Sequence, residues 1–388
     1  MTNPDQLRQA FNALYGSEPR FFRAPGRVNL IGEHTDYNDG LVLPMAIDLS
    51  TLTAGAARDD RTVRVYSLNI AEQFEFNLDL PGMRRRGIWP DYVEGVARML
   101  EADGVRLRGA DLLVSTDVPV GAGLASSAAL EISVGFALLS LSDAEIDRAA
   151  LALAGQKAEH EYVGARVGIM DQLTATTARR HHAMLIDCRT LATTYLPLDT
   201  SDAAVVVCDS GVKHDLAASE YNTRRAECEL GVELLRQFIP GIRALRDVNV
   251  EDFSKHETHL PEPVRRRCRH VITENQRTLD AAAALRSGNL EELGRLMVGS
   301  HLSLRHDYEV SCFELDTLVS AALLTDGVIG ARMTGGGFGG ATVNLVRHNA
   351  IEGFRDSISR EYQSAKGVSP AIYVVEAGQG AEEIVAPE

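Results

Sequence analysis

The stretch Asp117–Glu131 limits what this chain can fold into more than any other. Before it, Ala110–Thr116 reads as a short strand with an apolar centre; after it, Ala128–Leu141 is dense in helix formers. Between them lies a loop of glycines and serines that opens a helix. Such a loop exposes unpaired backbone N–H groups and the positive end of a helix dipole, which suits phosphate. Gly121 and Gly123 let the backbone approach an anion, and Ser126 and Ser127 add hydroxyl donors or a metal ligand. An ordinary strand–turn–helix with serine caps is the plainer use of the same residues.

Composition narrows the ligand. A net charge of −15 argues against a protein that grips nucleic acid through a basic face, although a local positive site can sit inside an acidic chain. At 388 residues and 45% hydrophobic, the chain can bury two ordinary cores, so two domains are expected. No apolar run approaches the roughly 18 residues of a bilayer span. The start, Met1–Gln6, lacks the basic flank and apolar stretch of a signal peptide. The five cysteines (Cys188, Cys208, Cys228, Cys268, Cys312) show no C-x-x-C and suit reduced, mostly buried thiols in a cytoplasm. The pairs His181-His182 and His301/His306 read as surface or core residues rather than zinc ligands.

Along the chain, Leu7–Tyr15 reads as an amphipathic helix. The block Arg23–Gly40 then packs two arginines, three carboxylates and a histidine around glycines, with Asn38-Asp39-Gly40 as a turn signal. Leu41–Pro44, Leu49–Ala56, Thr62–Ser67 and Phe74–Leu78 read as strands, the last two with the alternation of a half-buried antiparallel sheet. Helices are expected over Asp91–Glu101, Leu124–Leu139 and Ala144–Val163, followed by a helix-like segment opening at Gly168-Ile169-Met170-Asp171-Gln172. Strands at Ala183–Asp187 and Ala203–Cys208 flank a polar stretch, Asp199–Asp202, that divides residues 1–200 from 201–388. Beyond it, helices are expected over Leu216–Phe238, Glu262–Ala284, Leu290–His301 and Phe313–Leu324. The ending, Val328–Met333, a glycine loop, Val343–Val346, Ile351–Gln363 and Ala371–Val375, is β–loop–β–α–β and suggests a ferredoxin-like sheet. The runs Arg84–Arg86 and Arg265–Arg267 read as solvated faces.

The second glycine-rich loop, Thr334–Thr342, formally satisfies G-x-G-x-x-G but leads into a strand, whereas a dinucleotide site needs a helix there. No Walker-type G-x-x-x-x-G-K-[ST] and no protein-kinase H-R-D or D-F-G exists. What survives is a nucleotide or phosphate site built on a helix start and serines, which the second loop could close over. Glu33, His34, Asp36 and Asn38 add a cluster suited to sugar hydroxyls, with a metal site as the competing use of such residues.

Three blocks in order then resemble one family. Gly26–Gly40 is similar to the galactokinase signature, Pro119–Glu131 to the second motif of the GHMP kinases, and Met333–Thr342 to their third. Trp89–Val93, Gly168–Gln172 and Ser219–Arg225 also resemble galactokinases. The resemblance implies an α+β, two-domain GHMP kinase fold, with a ribosomal-protein-S5-like N-terminal domain and a ferredoxin-like C-terminal domain. It implies γ-phosphoryl transfer from ATP, with Mg²⁺, to O1 of galactose in the cleft between them. Glu33, His34, Thr35, Asp36, Asp171 and Tyr221 would bind the sugar. Gly121, Ala122, Gly123, Leu124, Ala125, Ser126 and Ser127 would wrap the triphosphate, with Ser67 and Asn69 near the adenine. Ser127 and Glu159 would hold Mg²⁺. Ala125 departs from the pattern, since similar proteins carry a serine there.

By the same resemblance Asp171 would sit beside the attacking hydroxyl and Arg27 between Asp171 and the γ-phosphate. A guanidinium there keeps a carboxylate ionised and stabilises charge on the phosphoryl oxygens. A plain Arg27–Asp171 ion pair is the structural alternative. Competing functions keep the chemistry and change the acceptor (galacturonate, galactosamine, arabinose, mevalonate or homoserine), or keep galactose and ATP in a non-catalytic regulator. The remaining expectations are a cytoplasmic chain, a monomer rather than an oligomer, and no nucleic-acid or membrane partner.

Overall fold

The computed structural model describes residues 4–82, 84–213 and 217–384. The first half runs α1 (Pro4–Tyr15), β1 (Arg20–Asn29), β2 (Leu41–Val42), β3 (Pro44–Ala57), β4 (Thr62–Ser67), β5 (Glu72–Asn77), α2 (Pro90–Ala102), β6 (Ala110–Thr116), α3 (Ser126–Leu141), α4 (Arg148–Ala158), α5 (Met170–Thr177), β7 (His182–Asp187) and β8 (Thr193–Pro197). The second runs β9 (Ala203–Lys213), α6 (Ala217–Leu235), α7 (Val250–His256), α8 (Val264–Arg286), α9 (Leu290–Ser303), α10 (Phe313–Leu323), β10 (Val328–Thr334), β11 (Gly339–Arg347), α11 (Ile351–Lys366), β12 (Ala371–Val375) and β13 (Glu382–Ile384). The expected helix start at Leu216 lies outside the described residues.

Six strands in the order β13-β1-β3-β6-β4-β5 form the N-terminal sheet, antiparallel except where β4 meets β6. Phe21, Leu52 and Leu113 face Leu7 and Phe11 of α1, while Phe22, Val65 and Leu112 pack with Val96, Ile132 and Phe136 of α2 and α3. Helix α3 is apolar around its circumference because it is buried on both sides, with Ala128, Ile132, Leu138 and Leu141 all covered. Its start is thereby held rigidly against the sheet.

The second half carries the sheet β10-β11-β9-β12, all antiparallel, in the ferredoxin-like order. The two halves share a core. Val28, Leu30 and Ile31, at and just past the end of β1, pack with Val205 and Val343 of the second sheet and Leu296 of α9. The chain also returns: β13 pairs with β1, so the last strand belongs to the N-terminal sheet.

Three differences from the sequence reading matter. β1 carries no strand signal, because Pro25-Gly26 and its three arginines interrupt any alternation; both its faces are buried, which removes the alternation altogether. The expected helix 144–163 is α4 followed by a π-helical turn, Glu159–Val163; a second such turn, Leu304–Tyr308, follows α9. The arginine runs are not simply solvated. Arg86 pairs with buried Asp91 and Glu94, and Arg267 is 3% exposed with Glu227 and Glu309 as partners.

Candidate active site

A cavity of about 580 Å³ opens between the halves, lined by both glycine-rich loops, the loop after β1 and the start of α5. Its floor is set by one close approach. A Cβ on Gly26 would lie 2.7 Å from the Leu124 carbonyl oxygen, so only glycine lets β1 touch the first loop; Arg27 N–H then donates to that oxygen at 3.0 Å.

From there the Arg27 side chain enters the cavity wall. Its Nε and Nη2 donate to the two carboxylate oxygens of Asp171, each at 2.7 Å, and Nη1 donates to the Gly123 carbonyl at 2.6 Å. Arg27 is buried, whereas the Asp171 side chain keeps about a quarter of its surface open to the cavity. A two-toothed pair of this kind fixes orientation as well as charge. The guanidinium therefore ties the β1 signature, the glycine loop and α5 together at one point.

In the first loop, Gly121, Gly123 and Ala125 all have positive φ, at 80°, 74° and 60°. Left-handed residues at every second position turn successive N–H groups toward one side, the pattern of an anion-binding nest. Ala125 is the one non-glycine among them and stands directly before α3. The second loop meets the first: a Cβ on Gly335 would lie 2.9 Å from the Gly123 carbonyl oxygen, and one on Gly340 3.3 Å from that of Ala122.

Behind the loop, Ser127 Oγ donates to Glu159 Oε1 at 3.1 Å, and Gln172 Nε2 donates to both Glu159 Oε1 and Glu131 Oε2 at 3.1 Å. Burial and the charge of Asp171 push the Glu159 carboxyl up to about 7. Burial and the charge of Glu159 hold fully buried Glu131 well above the carboxylate range. The group is rich in hard oxygen and short of positive charge.

The sugar-like cluster divides on inspection. Glu33 Oε1 accepts from Gly335 N at 2.8 Å, Thr334 Oγ1 at 3.2 Å and Arg332 Nη1 at 3.4 Å. His34 is left-handed at φ 63° and buried, and its Nε2 has no partner in the protein. Burial, then the charges of Asp36 and Tyr37, push the Tyr221 phenol upward, and it faces the same cavity beside Gly336. Asp36 accepts from the Tyr37 N–H at 3.0 Å and is pushed up to about 7 by burial and the charge of Asp171.

Thr35, expected to bind the sugar, does not line the cavity. Its hydroxyl donates within the loop, to the carbonyls of Gly32 and Leu41, because the turn needs those carbonyls satisfied. Asn38 likewise serves the loop, donating to the His34 carbonyl at 2.9 Å. Ala122, expected at the triphosphate, is buried behind the loop, while Gly121, Gly123, Leu124, Ala125, Ser126 and Ser127 line the cavity. Ser67 and Asn69 line the same cavity as Trp89, Tyr92, Ile70 and Val120, an apolar setting that suits a flat aromatic base. Arg332, Gln172 and Glu131 were missed by sequence reasoning. A charged or polar residue inside an otherwise apolar strand or helix was the available signal. Among the described residues no group of three or more His, Cys, Asp and Glu could hold a metal by itself, and no helix is long and apolar enough to cross a membrane.

Residues 9–57 match the galactokinase galactose-binding signature, 91–179 the GHMP kinases N terminal domain and 281–364 the GHMP kinases C terminal domain. The chain is 48% identical to a galactokinase of Roseiflexus sp. (strain RS-1), covering 99% of this chain and 98% of that one. It is 43% identical to a galactokinase of Haemophilus influenzae (strain PittEE), covering 99% and 100%. The crystal structure of Lactococcus lactis galactokinase complexed with galactose superposes with a TM-score of 0.94 at 36% identity, over 98% of this chain and 99% of that one. Methanococcus jannaschii mevalonate kinase, at 18% identity and a TM-score of 0.64 over 94% and 100%, shares the fold.

Proposed function

This chain belongs to the galactokinase family of the GHMP kinases and is a sugar kinase, and on that premise we propose that it transfers the γ-phosphoryl group of ATP to O1 of galactose, the entry step of galactose breakdown. One observation carries the reading: the Arg27–Asp171 pair lines a single cavity together with residues of the sugar loop and of the glycine nest.

Phosphoryl transfer asks for positioning and charge stabilisation more than covalent help. Galactose would be held by Glu33, His34, Asp36 and Tyr221, with O1 at Asp171. ATP would lie along the nest, its phosphates on the N–H groups of residues 121–127 and its base toward Ser67, Asn69 and Trp89. As O1 attacks the γ-phosphorus, its proton passes to an oxygen of Asp171, the O1–P bond forms, and the bond to the β,γ-bridging oxygen breaks to release ADP. Arg27 orients both oxygens of Asp171 and stabilises charge on the moving phosphoryl group.

Ser127 and Glu159 would hold Mg²⁺. Two hard oxygens 3.1 Å apart fit that ion, and a carboxyl raised to about 7 by burial and a like charge lacks the cation that would favour its ionised form. When bound, the ion neutralises phosphate charge.

A galactose- and ATP-binding regulator of the same fold would bind without turnover; the intact Arg27, Asp171 and Ser127 favour the enzyme. ADP release is the test, measured with ATP and Mg²⁺ against galactose, galactosamine, galacturonate, arabinose, mevalonate and homoserine. Turnover with galactose is expected. Galactose binding by calorimetry with no turnover would give the regulator, and turnover confined to another acceptor would reassign the substrate.

A further inference from the structure

The sugar loop is tied to the C-terminal half by a chain of hydrogen bonds that phosphoryl transfer does not itself require. His34 Nδ1 lies 2.9 Å from Tyr37 Oη, Tyr37 Oη 2.7 Å from Tyr308 Oη, and Tyr308 Oη 3.2 Å from Cys228 Sγ. At the near end, buried His34 lines the cavity and its Nε2 is without a partner in the protein. The ring is boxed, with its centroid 4.8 Å from that of Tyr308 and 5.4 Å from that of Tyr221.

A neutral imidazole carries one N–H, and the partner of one nitrogen decides which nitrogen has it. Burial, then the charges of His270 and Arg224, hold His34 well below the usual imidazole range, so it is neutral. In a linear chain each hydroxyl donates once, so all donors point one way. Toward Cys228, an N–H would donate to a weakly basic phenol oxygen and a phenol to a sulfur, both poor acceptors. Toward His34, the phenol O–H of Tyr37 meets the imidazole lone pair, the best acceptor in the row. The backbone of Gly336 also favours a proton on the ring.

We propose that Tyr37 and Tyr308 are positioning residues that lock His34 in its Nε2–H tautomer, making it a hydrogen-bond donor to one sugar oxygen beside the acceptors Glu33 and Asp36. This deepens the galactokinase reading and rests on it for the identity of the sugar. The site would then require an acceptor at the position facing His34, and tolerate fluorine there better than hydrogen.

The test has two arms. In protein labelled with ¹⁵N in histidine, long-range ¹H–¹⁵N correlations report each imidazole's tautomer, with His34 assigned by its loss in His34→Gln. Nε2–H is expected in the wild type without ligand, and a mixture in Tyr37→Phe. The second arm compares kcat/KM for the monodeoxy and deoxyfluoro galactoses. At one position the wild type should lose about 100-fold with hydrogen and no more than about 10-fold with fluorine. In Tyr37→Phe and Tyr308→Phe that difference should collapse, with KM for galactose up about 10-fold and kcat within about 3-fold. An Nδ1–H tautomer in the wild type overturns the proposal, and so do variants that keep both tautomer and fluorine preference. The wild-type measurement needs no variant to fold. Absence of galactose turnover would instead overturn the functional assignment, and the tautomer would still decide the proposal.

Discussion

Asp36 occupies the space that a side chain on Gly168 would fill. A Cβ built there would stand 1.8 Å from Asp36 Oδ2 and 2.1 Å from its Cγ, although the two residues come from separate elements of the N-terminal half. Gly168, three residues before Asp171 in the chain, thus presses no atom of its own on the carboxylate and leaves Asp36 in the cavity. Gly168→Ala must move one or the other. We expect KM for galactose to rise at least about 10-fold, with a smaller fall in kcat, since the Arg27–Asp171 pair is not displaced. Steady-state kinetics check this, and an unchanged KM would remove Asp36 from sugar binding.

The Arg27–Asp171 pair separates chemistry from binding. Asp171→Asn keeps the shape and one acceptor oxygen but cannot take a proton, so kcat should fall by about 10²–10⁴ while the protein melts cooperatively. Arg27→Ala should lower kcat more than it raises KM for sugar, because its charge matters most when the phosphoryl group is in flight. Near-normal turnover in Asp171→Asn would leave the pair as a structural tie between β1 and α5.

Asp36 also predicts a pH dependence of stability. Its carboxyl is pushed up to about 7 in the folded chain against 3.8 when unfolded. Between those values the folded state holds a proton that the unfolded state has lost, so this group's contribution is present below the unfolded value and is lost as pH rises through about 7. Asp36→Asn carries no such proton. In ligand-free thermal melts the variant should therefore gain on the wild type from pH 4.5 to 7.5 and level off above, by at most a few kcal/mol. A gap that stays flat across that range would count against a proton held on Asp36.

What could be read from the sequence was contiguous. The glycine loop, the serines after it and the block Gly26–Gly40 each carry their own chemistry within a dozen residues, so their residue types and spacing pointed at phosphate and sugar. The ferredoxin-like ending was legible because each of its strands alternates or runs apolar between clear turns. β1 was not, since a strand buried on both faces and broken by Pro25-Gly26 has no period to detect. Thr35 and Ala122 sit inside motifs whose neighbours face the cavity, and only backbone geometry shows that they face away. Tyr308 meets Tyr37 across 271 positions of chain, and Arg332 meets Glu33 across 299. No local pattern encodes such pairs.

Arg332 bears on stability as well as on the site. It is fully buried in β10, donates to the Asn29 carbonyl at 2.7 Å and lies 3.4 Å from Glu33 Oε1, while its Nε and Nη2 have no partner. The same guanidinium helps hold buried Glu274 down to about 2, after burial, which raises it, and after Arg277 and His270. Glu274 in turn accepts the Gly32 N–H at 3.0 Å, so Arg332 stands between two carboxylates that frame the sugar loop. Removing one partner from such a group leaves uncompensated buried charge, which costs about 3–5 kcal/mol. Arg332→Met should lose stability on that order by denaturant titration and raise KM for galactose; Arg332→Lys should recover part of the stability. Because the cost arises from the stranded carboxylate, Glu33→Gln added to Arg332→Met should be less damaging than the two single changes summed. Strict additivity in that double-mutant cycle would show that Arg332 supports the fold independently of Glu33.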